Sequence, residues 1–332
     1  MTSIGLLISL AGILYGAAPI MFGVIGETIT ERAGIINLSM NGTILLSAMV
    51  GFAVAYGTGS LLLGFLAGAL IGGLVALVVA FSSIALKQSQ VAVGFVLAVL
   101  CLNLSYFLGH AYISKNGPSM NILPIAGLDK IPILGTLFFR QDLMTYFSFV
   151  IIFLTWFWIY RTRPGLMLRG IGERPAAAYV RGADVNRLRY IYTFLGGAIA
   201  GLAGPTFSLD VKAGWAGQLS GLDGYGWIVL SITIFGGWNP FRAAFGVYLF
   251  SFLQWLGLVL QPVLPNIPTQ VLQVAPFPLM ILTLLLVNIG NAEWINRMMA
   301  TLPEGTRRLV ARLLRALRAS PPASLGVPFD SE

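Results

Sequence analysis

Two stretches of this chain run for about 20 residues or more without a single charge, Ile4 to Ile25 and Leu61 to Leu86. A helix rising 1.5 Å per residue needs about 20 residues to cross a ~30 Å hydrocarbon core, so either stretch is long enough to span one. Further apolar segments fall at 33–57, 91–110, 143–160, 190–209, 224–238, 243–262 and 271–289. A buried helix of a soluble domain would explain one such run but not seven or more. Only 10% of residues are charged and 57% are hydrophobic, against about 25% charged in a soluble domain. The pattern predicts an all-α integral membrane protein, a polytopic bundle of eight or nine transmembrane helices with broken or short helices near the centre.

The first run reads as a retained span and not as a signal peptide. No basic residue precedes Arg32, and the run is longer than the 7–15-residue apolar core of a signal. Cys101 is the single cysteine and His110 the single histidine. No disulfide can close within the chain, and Cys101 reads as a packing residue. His110 reads as interfacial. Metal hydrolysis or a nucleophilic triad would need more histidines or a Cys–His pair, so no catalytic residue, metal or cofactor is expected. The charge pattern gives no reason to expect a nucleic-acid partner.

Orientation follows from the basic residues. The loop 161–189 carries Arg161, Arg163, Arg169, Arg174, Arg181, Arg187 and Arg189, whereas 111–142 carries only Lys115, Lys130 and Arg140. Basic loops stay in the cytoplasm, so 161–189 and the C-terminus are expected there, 111–142 outside, and Glu27 to Arg32 inside. The chain then divides into a transmembrane region, 1–292, and a basic tail, 293–332. In the tail Leu309, Val310, Leu313, Leu314 and Leu317 share one helical face and Arg308, Arg312, Arg315 and Arg318 fall mostly on the other. That pattern fits a helix lying on anionic membrane lipid or a solvated tail.

Two spans are weak. Segment 33–57 is interrupted by Asn37, Ser39, Asn41 and Gly42, and 224–238 is short with glycine at both ends. Broken helices often line a solute path because their freed backbone groups need polar company; poor helices buried against neighbours look the same. Asn37, Asn41, Asn103 and Asp223 are the path candidates, since an unpaired polar group in a span is costly. Interhelical hydrogen bonding is the competing reading of each. Tyr225 and Trp227 suit stacking on a base or sugar, or a membrane interface. Gly64, Gly68 and Gly72, and again Gly197 and Gly201, recur every four residues, a spacing that lets helix backbones approach closely in lipid.

The loop from Arg161 reads RTRPGLMLRGIGERPAAAYVRGADVNRLRY. Pro175 suits a first helical position, Ala176, Ala177 and Ala178 favour helix, and Gly182 suits a stop. The spacing predicts a two-turn helix over Pro175–Arg181, held between two spans.

The stretch TRPGLMLRGIGERPAAAYVRGADV closely resembles the cytoplasmic loop of ATP-binding-cassette (ABC) importer permeases of the nucleoside and simple-sugar type, relatives of the branched-chain amino acid and ribose permeases. The matching positions are Thr162, Arg163, Gly165, Leu166, Arg169, Gly172, Glu173, Pro175, Ala176, Ala177 and Gly182. ERAGIINLSMNG at Glu31 to Gly42, IPILGTLFFRQDLMTY at Ile131 to Tyr146, GGAIAGLAG at Gly196 to Gly204, GLDGYGWIVLSITIFGGWNP at Gly221 to Pro240, and Pro276 and Pro278 extend the likeness.

The resemblance implies a coupling helix, with Gly172, Glu173, Pro175, Ala176, Ala177 and Gly182 facing separate ABC ATPase subunits. It also implies a second permease chain, the same or paralogous, and an extracytoplasmic substrate-binding protein, in a multi-pass assembly of the inner (plasma) membrane. The chain itself has no GxxxxGK[ST] phosphate loop, so ATP chemistry belongs to the partner. One position departs from the pattern: such permeases usually carry glutamate where this chain has Asn41. The alternative is a secondary transporter driven by an ion gradient. It would want an acid or histidine deep in a span, whereas Glu27, Glu31, Asp210 and Asp223 lie near segment ends.

Overall fold

The computed structural model describes residues 3–261 and 320–330, with the isolated positions 271, 278 and 282. The chain opens with α1 (Ser3–Arg32), α2 (Met40–Thr58), α3 (Leu61–Ile84) and α4 (Gln90–Gly109). After α4 come β1 (Ile122–Pro124), α5 (Leu134–Phe138) and β2 (Arg140–Asp142). α6 (Leu143–Arg161), α7 (Arg163–Glu173), α8 (Pro175–Val180) and α9 (Val185–Gly201) follow. α9 runs on through α10 (Ala203–Thr206) and a π-helical turn, Phe207–Val211. α11 (Tyr225–Phe235) and α12 (Pro240–Leu260) follow.

The starts of these helices are written in the sequence. Ser60, Ser89, Asp142, Thr162 and Asp184 each accept a hydrogen bond from the backbone N–H three residues on. Asn239 accepts from Phe241 N and Arg242 N. Each satisfies a donor that the first helical turn leaves free.

Six described helices are long and apolar enough to cross a membrane, which makes this a mostly helical membrane protein. α11 has 11 residues, about 16 Å of helix, too short to cross ~30 Å alone. The expected span 271–289, apart from the isolated positions 271, 278 and 282, and the expected amphipathic tail helix lie outside the described residues. The all-α expectation meets one small exception. β1 and β2 pair antiparallel, Leu123 opposite Gln141, and stiffen the 111–142 connection.

α1 extends through Arg32, seven residues beyond the expected end of its span. Glu27 and Glu31 are therefore not in a solvated loop. Both are buried, Glu27 accepting from Asn37 N at 3.3 Å and Glu31 from Trp238 Nε1. Each bond offsets part of the cost of burying a polar group. The expected interruption of 33–57 is confined to 33–39. Asn41 and Gly42 lie inside α2, which is unbroken from Met40.

The main core gathers Phe22, Phe52, Leu45, Val229 and Phe250 among the packed helices. Cys101 belongs to it, as expected of a packing residue. The predicted small-residue stripes face one another. A Cβ on Gly72 would lie 2.3 Å from Gly197 O and 2.5 Å from Gly201 Cα, and one on Gly201 would lie 2.5 Å from Gly68 O. α3 and α9 thus touch backbone to backbone, which only glycine permits.

Candidate functional site: a lever pair and a polar junction

The 161–189 region is a helix pair, not a loop with one helix in it. Thr162 starts α7, its Oγ1 accepting from Gly165 N at 3.2 Å, and Pro164 sits in the first turn where a missing N–H costs nothing. Pro175 starts α8 in the same way. α8 ends at Val180, one residue short of the expected Arg181, and Gly182 takes φ +88°, the left-handed value that terminates a helix.

The pair has two faces. Leu168, Ile171 and Ala178 bury themselves in a second, smaller core with Ile29, Ala33, Ile159 and Tyr192 of α9. Tyr192 Oη donates to Pro164 O at 3.1 Å. Gly172 is buried too, and a Cβ there would lie 2.1 Å from Arg32 O. This face seats the pair on α1, α6 and α9. The other face is open: Glu173, Ala176, Ala177, Tyr179 and Gly182 are exposed, and Val180 is 86% exposed. A groove of about 480 Å³ runs between α7 and α8, with Leu166, Met167, Gly170 and Ala177 in it and Arg163, Arg174 and Arg181 around it.

Two of the seven arginines in this region make specific contacts within the protein. Arg169 lies over the Tyr160 ring at 5.2 Å. Arg189 is fully buried inside α9, with Nη1 donating to Val327 O at 2.9 Å and Nη2 to Ser324 Oγ at 3.2 Å. Arg189 therefore belongs to a helix and not to a basic loop, since Asp184 begins α9 before it. The lower ends of α1 and α6 meet through Arg32, whose Nε donates to Trp238 O at 2.7 Å and whose Nη2 donates to Tyr160 Oη at 2.9 Å.

Of the path candidates, Asn41 and Asp223 come together. Asn41 Nδ2 donates to Asp223 Oδ1 at 2.7 Å, while Asn41 Oδ1 accepts from Gly224 N at 2.8 Å and Gly226 N at 3.3 Å. A side chain of α2 thus caps the start of α11, a helix with no capping side chain of its own. A Cβ on Gly226 would lie 2.1 Å from Asn41 N, so the two elements also meet backbone to backbone. Asn37 is buried in the 33–39 break, where its Oδ1 accepts from Ser39. Asn103 stands apart: it is exposed on α4 and its Nδ2 donates back to Val99 O at 2.8 Å. Trp227 is 38% exposed with its ring 6.2 Å from Phe95. Tyr225 is turned inward, its ring edge-on to Phe207 and its hydroxyl accepting from Gln254 Nε2 at 3.1 Å.

A bundle of apolar spans, a short helix capped from its neighbour and a rigid pair seated outside the spans together define a membrane transport subunit. The chain belongs to the branched-chain amino acid transport system permease component family, which matches residues 9–287; it is a permease subunit of an ABC importer. A protein of Haloferax volcanii, named provisionally as a glucose ABC transporter permease, is 35% identical over 73% of this chain and 74% of its own length. A nucleoside ABC transporter permease of Lactococcus lactis is 30% identical over 86% of this chain and 93% of its own length. A guanosine ABC transporter permease of Bacillus subtilis is 29% identical over 81% and 88%. No solved structure matches the chain significantly.

Proposed function

We propose that this permease carries a nucleoside or a related small sugar, and that the open face of α7–α8 is where its ATPase docks. The docking reading rests on one observation. The pair is firmly seated on one side yet leaves Tyr179 and Val180 exposed beside an arginine-rimmed groove on the other. Exposed apolar residues ringed by charge mark an interaction surface. Glu173, Pro175, Ala176, Ala177 and Gly182 belong to this face, and Gly172 to the seat beneath it.

In this reading the pair, the loop 161–189 and the tail 293–332 are cytoplasmic, and 1–292 forms the permease proper in the inner membrane. A second permease chain completes the path, and an extracytoplasmic binding protein delivers cargo. The named cargoes of the relatives, nucleosides, guanosine and glucose, support a polyhydroxylated solute. Asp223 and Trp227, an exposed acid and an exposed indole near the start of α11, suit a hydroxyl-bearing ring: the carboxylate accepts from hydroxyls and the indole stacks. Closure of the ATPases on ATP then biases a two-state path through the pair.

The test is Glu173→Arg. The site is exposed, so membrane insertion stays normal, while ATP-driven uptake of labelled guanosine or glucose into liposomes carrying the complete importer falls about tenfold, a shift of roughly 1.4 kcal/mol in coupling. Unchanged uptake of the transported label would remove Glu173 from the docking face.

A further inference from the structure

The last described residues, 320–330, form no regular element, yet they lie against α7, α8, α9 and the break after α1, and Asp330 pairs with Lys87 between α3 and α4 at 2.7 Å. Ser324 is buried. Its N–H donates to Gly172 O at 2.9 Å and its Oγ to the same oxygen at 2.6 Å, so it closes the carbonyl end of α7, where free acceptors would otherwise remain. Ala323 N donates to Glu173 Oε2 at 3.3 Å, and the Phe329 ring meets Tyr179 of α8 at 5.7 Å. On the other side Gly326 N donates to Gly34 O at 3.0 Å, in the break after α1. Gly326 has φ +76°, and a Cβ there would lie 2.9 Å from Ile36 Cδ1. Arg189 reaches the same segment through Val327 O and Ser324 Oγ.

The segment also bounds a space. A cavity of about 400 Å³ is lined by Glu31, Ile36, Leu38, Leu230, Ile234 and Trp238, and its remaining wall is Pro321 and Leu325. Leu230, Ile234 and Trp238 continue along and just beyond α11, the helix that carries Trp227 nearer its start.

We propose that residues 320–330 are a tie between the ATPase-facing pair and the break at 33–39, and that Leu325, with Pro321, gates the end of the solute path next to that pair. This rests on the docking face and path proposed above. One short segment holds the last carbonyls of α7 through Ser324 and the backbone of the break through Gly326, two residues apart. A displacement of α7–α8 therefore pulls directly on the break and on the Leu325 side chain beside α11. Ser324 and Gly326 are positioning residues; Leu325 is the gating one. Arg189 supports them, since its buried guanidinium donates to the tie through Nη1 and Nη2, so the seated state carries its own polar latch.

The experiment uses the full chain assembled with its ATPase in liposomes, in a Cys101→Ala background. Ile36→Cys and Leu325→Cys are introduced together and joined with a mild oxidant. Oxidation is expected to lower ATP hydrolysis about tenfold and reductant to restore it, the size of effect that fixing one state of a two-state element produces. Hydrolysis indifferent to oxidation, with the ATPase still co-purifying, overturns the tie and leaves the docking face standing. Loss of the ATPase from the reduced sample overturns both.

A single Leu325→Cys variant gives an independent reading with no cross-link to disturb assembly. Its labelling by a membrane-impermeant maleimide is expected to differ about threefold or more between the nucleotide-free and the ATP–vanadate-trapped importer, as a shifted population requires. A purely structural role for the segment predicts equal rates in the two states, and equal rates overturn the proposal.

Discussion

The seam between α3 and α9 and the junction between α2 and α11 hold helices together by different means. In the seam, Gly68 and Gly72 lie directly on the backbone of Gly197 and Gly201, and its adhesion is the sum of many small contacts. At the junction, one side chain, Asn41, makes three hydrogen bonds to Asp223, Gly224 and Gly226. Interhelical hydrogen bonds in lipid are worth about 0.6–2 kcal/mol each, and such bonds can be exchanged one at a time. The seam can only stay shut or come apart as a whole. A transporter needs both kinds of contact: a frame that does not yield and a joint that does. α3–α9 has the first character and α2–α11 the second.

The largest effect should come from breaking the frame. Gly72→Leu places its Cβ 2.3 Å from Gly197 O, against backbone that cannot rotate away. The helices must separate along the seam, a cost of about 3 kcal/mol at the upper end for overpacking. Solubilised protein should lose its monodisperse peak on fluorescence-detected size-exclusion chromatography and its thermal midpoint should drop sharply. A variant that stays monodisperse with an unchanged midpoint would show that α3 and α9 are free to slide, and the contrast with the junction would collapse.

A middle-sized effect is expected at the junction, and it should be reversible by design. Asn41→Asp keeps the acceptor for Gly224 N and Gly226 N but removes the donor to Asp223, leaving two carboxylates in contact. The expected loss is about 1–3 kcal/mol, the cost of an unsatisfied and repelled pair. Adding Asp223→Asn restores a donor with its polarity reversed, so the double variant should recover most of the thermal midpoint. A double-mutant cycle measures this directly. Additive losses in the cycle would mean that the 2.7 Å contact does not couple the two helices.

What the sequence made legible follows the same division. The seam was readable because its cause is local: glycine every four residues has one dominant physical use in a membrane helix. Helix starts were readable for the same reason, and the Thr162-Arg163-Pro164 start of α7 was available in the residues although only α8 was anticipated. Long-range partners were not readable. Asn41 and Asp223 were each singled out as costly polar residues, yet nothing in either neighbourhood says that they meet across 182 residues. Arg189 looked like one more cytoplasmic arginine because its partners, Ser324 and Val327, lie in a stretch without periodicity. Glu27 and Glu31 looked like the end of a span because charge usually ends one; Asn37 and Trp238 make their burial tolerable. Asn103, picked by the same polarity argument as Asn41, satisfies its amide within its own helix.

The smallest stability effect, and the sharpest functional one, belongs to the exposed side of the junction helix. Trp227 is 38% exposed and, among the described residues, its aromatic contact is with Phe95. Truncating it to alanine should therefore cost no more than about 1 kcal/mol, the range of an aromatic pair at a surface. If the indole is there to stack on a sugar or base, Trp227→Ala should still lower uptake several-fold, because base–aromatic stacking is worth about 1–3 kcal/mol. Trp227→Phe should recover a good part of that loss, since a flat ring remains. Uptake that follows stability, with phenylalanine no better than alanine, would assign Trp227 to packing. The junction would then be a joint whose exposed face does not contact the solute.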